Sequence, residues 1–89
     1  MINEYLNAVR DHIARMIKQG KLNQLIVWDV QADEAQDPTL LSLRIYGSRQ
    51  YTGVIQVACG TSGIWEKLPM KRIAVPRIAD VLKLRREYL

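Results

Sequence analysis

Phenylalanine is absent from this chain, and histidine and cysteine occur once each. The lone Cys59 excludes an internal disulfide and a cysteine-ligated zinc site within one chain. His12 has no second histidine at a ligand spacing, so zinc catalysis has no ligand set. A nucleophile at Ser42, Ser48, Ser62 or Cys59 would have that single imidazole to draw on, and nothing in the spacing brings them together. Cys59, beside glycines, reads as core filling rather than as a thiolate. No apolar run approaches the roughly 20 residues of a bilayer span. Glu4, Arg10 and Asp11 interrupt the hydrophobic residues where an export signal needs an unbroken core. The expectation is a soluble, unexported domain without metal, cofactor or membrane partner. At 89 residues it is one domain with one modest core, burying roughly 60 to 65% of the surface its unfolded form exposes.

From Ile2 to Ile17, apolar residues at Ile2, Leu6, Val9, Ile13 and Met16 alternate steps of four and three, which predicts an amphipathic helix stopped by Gly20. Such a seam suits either the helix's own domain or a partner helix in another chain. Leu22 to Val30, rich in β-branched residues toward its end, predicts a first strand. Asp29, Asp33, Glu34 and Asp37 follow with no base among them, and read as a solvated acidic loop. Asp37 and Pro38 suit the N-cap and first turn of a short helix that Gly47 closes after Tyr46. Ser48 caps a second short helix through Tyr51, Val54, Ile55 and Ala58, broken by the turn Cys59-Gly60-Thr61-Ser62-Gly63. Gly53 inside it lowers helix propensity by about 1 kcal/mol against alanine, which points to close helix packing. Lys71 to Val75 alternates as a second strand ending at Pro76, and residues 77–89 form a basic tail, helical or extended.

With the first helix and the tail set aside, Trp28 to Val75 resembles a LysM domain. The landmarks are the Asp37-Pro38-Thr39-Leu40 entry, Tyr46-Gly47 at the end of the first helix, the Tyr51 to Ala58 helix, and Leu68-Pro69-Met70 leading into Ile73-Ala74-Val75-Pro76. The resemblance implies an α+β fold with a β-α-α-β core, two short helices stacked on a two-stranded antiparallel sheet. The domain map is then an N-terminal helical arm over 1–21, a LysM-like core over 22–76 and a C-terminal tail over 77–89. Family members enter the first helix through Gly-Asp-Thr-Leu and leave the second on alanine-asparagine, and both departures here fall in the loops that hold acetylated sugars. Small members with helical arms look like baseplate and tail proteins of contractile-tailed phages. That likeness implies a non-enzymatic adaptor in a virion, joining tube, sheath or wedge proteins, or copies of itself in a ring.

Charge distribution sharpens this expectation. Residues 29–37 carry four acids, whereas residues 67–86 carry seven bases against Asp80 alone. A bipolar module can dock head to tail. The expected protein contacts are therefore Ile2, Leu6, Val9, Ile13 and Met16 on the arm, Asp33, Glu34 and Asp37 on the acidic loop, and Arg77, Lys83, Arg85 and Arg86 on the tail. Nucleic acid is disfavoured as the tail's partner because no aromatics interleave the bases. The alternative is a peptidoglycan-binding module gripping glycan through Pro38, Thr39, Leu40, Gly60, Thr61 and Ser62. Trp28, Trp65 and four tyrosines must supply the aromatic core or stack on sugars. Asp33 and Glu34, with no apolar wall to shift either carboxyl, do not read as a catalytic pair.

Overall fold

The computed structural model describes residues 2–61 and 67–89, so the expectations for Ser62 and Trp65 lie outside the described residues. The first helix, α1 (Ile2–Lys18), buries Tyr5, Val9 and Ile13, one residue per turn along a single face. Gly20 closes it in the left-handed region at φ 70°. Its N–H bonds Ile17 O at 3.1 Å and the Lys21 N–H bonds Met16 O at 2.8 Å, the paired bonds of a Schellman cap. A 3-10 turn over Leu22–Gln24 then replaces the start of the expected strand, leaving β1 as Leu25–Asp29.

β1 pairs antiparallel with β2 (Arg72–Pro76), with Ile26 opposite Val75 and Trp28 opposite Ile73 on one face, and Leu25 opposite Pro76 and Val27 opposite Ala74 on the other. Because side chains alternate along a strand, this register divides the core in two. On the first face Ile73 and Val75 meet Val30, Ala35, Leu41, Ile55, Cys59 and Leu68, with Ile26 and Trp28 packed at the edge. The second cluster joins Leu25 to Tyr5, Val9 and Ile13 of α1, to Tyr51 and Val54, and to Val81.

Three helices follow β1. The first, α2 (Ala32–Gln36), occupies the segment expected to be a loop. The next, α3 (Pro38–Tyr46), begins and ends where the sequence places it: the Asp37 side chain accepts from the Thr39 N–H, and Gly47 is left-handed at φ 75°. Ser48 caps a 3-10 turn, Arg49–Tyr51, that runs into α4 (Thr52–Cys59). The buried Ser42 hydroxyl staples this corner, donating to Ser48 O at 2.6 Å and accepting from the Tyr51 N–H at 3.2 Å. Gly53 has the packing role its position suggests, since a Cβ there would lie 3.2 Å from Leu6 Cδ2 of α1. Tyr46 donates its hydroxyl to Pro76 O at 2.6 Å, tying the end of α3 to the end of β2.

The tail is a helix, α5 (Ile78–Tyr88), with Val81 fully buried. The architecture is α+β: a two-stranded antiparallel sheet with α2, α3 and α4 toward one face, and α1 and α5 against α4 and the end of the other. The arm expected to reach a partner is instead built into the core. The inward stripe also turns toward Tyr5, so that Ile2 is 56% exposed while Val9 has no exposed surface.

Candidate protein-binding surfaces

The acidic segment is the largest departure from expectation. Glu34 has no exposed surface, and its side chain is held from three sides. Oε1 accepts from Trp28 Nε1 at 3.0 Å and from the Gln31 N–H at 2.8 Å, and Oε2 accepts from Arg44 Nη1 at 2.8 Å. Burial pushes the Glu34 carboxyl up, but Arg44, the Gln31 amide and the Trp28 indole together hold it below its usual value. Arg44 turns its other edge to Asp33, with Nη2 2.8 Å from Oδ2, and this bond is the main cause of the lowered Asp33 pKa.

The rest of the segment is engaged in the same way. Asp37 is held down chiefly by its hydrogen bond from the Thr39 hydroxyl, with Arg49 3.5 Å away. Asp29 pairs with Arg72 at 2.9 Å across the sheet. Four acids therefore face three arginines of the same chain, and most of the negative pole drawn from the sequence is neutralised internally. Glu34, expected as a docking residue, is a buried structural group, and Asp33 and Asp37 already have partners.

Concave surface occurs where α1 leaves the second sheet face uncovered. An open groove of about 480 Å³ is lined by Ile13 and Ile17 of α1, Leu22, Val27 and Ala74, with Lys71 and Arg72 at one end. Ile17, Leu22 and Val27 are 52%, 53% and 47% exposed, so the groove floor and wall are apolar and wet. Exposed Lys18 and Lys21 adjoin Ile17 and Leu22 in the chain. Sequence periodicity missed this surface: Val27 sits in an apolar run, and only the sheet register shows that its face is partly bare.

No family model, curated protein or solved structure matches this chain. The functional reading accordingly stands on the chemistry of its own residues.

Several other expected sites are dispersed or internally satisfied. The Thr39 hydroxyl donates to Asp37 and accepts from Arg49 Nη1 at 2.6 Å, at the start of α3 beside Pro38 and Leu40. Gly60, left-handed at φ 75°, ends α4. Thr61 lines a depression with Asn3, Asn7 and Arg10 of α1, and Pro38, Thr39 and Leu40 are not among its walls. Cys59 is buried, and burial pushes its thiol up, away from thiolate chemistry.

His12 faces α5, its Nε2 3.8 Å from Asp80 Oδ2, with burial lowering its pKa against the opposing pull of Asp80. On the tail, Arg77 reaches Gln24 Oε1 at 3.3 Å, Lys83 and Arg86 are exposed, and Arg85 lies over two tyrosine rings.

Proposed function

We propose that the chain is a non-enzymatic adaptor that binds another protein in the groove between α1 and the second sheet face. The observation that carries this reading is a contiguous apolar surface on Ile17, Leu22 and Val27, beside Lys18, Lys21 and Lys71. Exposed apolar ground rimmed by charge of one sign suits a partner segment with apolar anchors and acidic flanks. A second copy is the poorer match, because the acids of this chain's own negative segment are held by Arg44, Arg49 and Arg72. The resemblance to LysM domains supports placing such an adaptor in a phage tail or baseplate, with tube, sheath or wedge proteins as the partners.

The test is co-purification with the tube, sheath and wedge proteins encoded near the chain's gene. Val27→Asp and Ile17→Asp, both at exposed positions, are expected to keep the native circular dichroism and to weaken the complex at least about tenfold, as anchor residues do. A chain with an intact groove that joins none of these proteins, or a complex indifferent to both substitutions, rules the reading out.

A further inference from the structure

At the other end of α1 lies a second, chemically distinct recess. About 150 Å³ of space is bounded by Ile2, Tyr5 and Leu6 of α1, by Gln50 and Tyr51, and by Arg85 of α5. Two polar features there, the Tyr5 hydroxyl and the Arg85 guanidinium, have no carboxylate acceptor among the described residues. The Tyr5 hydroxyl is buried and, among the described residues, makes no well-formed hydrogen bond; burial pushes its pKa up, and the neighbouring Arg85 guanidinium opposes that rise. The Arg85 guanidinium lies over the rings of Tyr5 and Tyr51, with centroids at 5.9 and 5.5 Å.

A guanidinium set between two aromatic rings is a particular kind of donor. Cation–π contact engages the face of the aromatic ring and consumes none of the five N–H donors of a guanidinium. Two aromatic walls therefore hold Arg85 in the recess and leave it N–H groups that can pair with carboxylate in a two-bond fork. A buried hydroxyl without an acceptor, beside a cation without a carboxylate, is an incomplete arrangement, since leaving a buried donor unmatched is unfavourable. One planar anion supplies what both lack, and the single positive charge matches a single negative one. Ile2 and Leu6 give the recess an apolar wall, which suits a carboxylate on an aliphatic stem.

We propose that Arg85 and Tyr5 form a binding site for a carboxylate presented by a partner protein, from an Asp or Glu side chain or from a chain end. Identifying the carrier as a protein rests on the adaptor reading, but the site itself is testable on the isolated chain, so the two can fail separately. Three hexapeptides serve as probes: one with a free C-terminal leucine carboxylate, its C-terminal amide, and a doubly capped peptide with a central glutamate. The readout is the Arg85 Nε–Hε NMR signal together with the dissociation constant.

A carboxylate peptide is expected to shift the Arg85 signal, and the amide to bind at least about tenfold more weakly. Whichever of the two carboxylate peptides binds more tightly assigns the source. Arg85→Gln should abolish the response. Tyr5→Phe provides the sharper test, because removing an unmatched buried hydroxyl should leave the thermal midpoint unchanged or raised while weakening the peptide about three- to tenfold. No shift with either carboxylate at millimolar concentration, equal binding of the amide, or an unaltered affinity in Tyr5→Phe overturns the proposal.

Discussion

Replacing Arg44 with methionine is expected to reverse the response of the fold to acid. In the native protein Glu34 sits below its usual pKa of 4.5 despite complete burial, because Arg44, the Gln31 amide and the Trp28 indole favour the charged form. A carboxyl depressed on folding contributes stability above its unfolded pKa, and that contribution disappears as pH falls through the folded value. Asp33, also lowered by Arg44, behaves in the same sense. The native chain should therefore lose stability from about pH 5 downward, as these carboxylates are protonated.

Without Arg44, burial, already the largest influence on Glu34, is opposed only by the Gln31 amide and the Trp28 indole, and the carboxyl is expected to rise above its unfolded value. The sign then changes: the protonated form is favoured by folding, and stability is lost as pH rises through the elevated pKa. Arg44→Met should be weakest near neutral pH and recover toward about pH 5. Urea midpoints from about pH 4.5 to 8 give the measurement, and parallel curves for the two proteins would contradict it. Glu34→Ala is expected to lower stability by about 3 kcal/mol by stranding the Trp28 and Gln31 donors, and to abolish the pH inversion when combined with Arg44→Met. For a chain whose total stability is of order 4–13 kcal/mol, that is a large fraction. Glu34→Gln, which keeps an acceptor for both donors, should fall between the two.

The second large effect concerns α1. Val9→Asp places a charge among Tyr5, Ile13, Val54 and Val81, where Val9 itself has no exposed surface. Desolvating that carboxylate costs several kcal/mol, enough to unfold a domain of this size at neutral pH. Ile2→Asp on the same helix, at a position 56% exposed, should change stability by no more than about 0.5 kcal/mol. Thermal denaturation followed at 222 nm separates the outcomes. A detachable arm would tolerate both substitutions, whereas a core helix tolerates only the second.

These two cases also mark how far the sequence could be read. Local chemistry was legible: Asp37 and Gly47 bound α3 where expected, Ser48 starts the next turn, and Gly53 meets Leu6 because only a hydrogen fits comfortably between the helices. Periodicity identified α1 as amphipathic, but a stripe says which way a helix faces and not which molecule it meets. The acidic run shows a different limit. Its charges were countable, yet Arg44 lies ten residues beyond Glu34, and no local pattern joins a carboxylate to a guanidinium across two helices. The groove was hidden for a third reason. Val27 is one apolar residue among several in β1, and its exposure depends on how far α1 extends over a face set by pairing with β2. Arg85 was among the expected contacts as one base of several, but its two tyrosine walls come from distant parts of the chain.

A continuous helix also sets a distance. Tyr5 and Ile17 are separated by twelve residues of α1, which at 1.5 Å per residue is about 18 Å along its axis. The helix is clamped along its length by Val9 and Ile13, so this interval is a fixed dimension of the molecule and not a tether that can stretch. Any assembly engaging both ends of α1 at once must match that spacing, and a subunit with the right contacts at the wrong interval would be rejected by geometry alone.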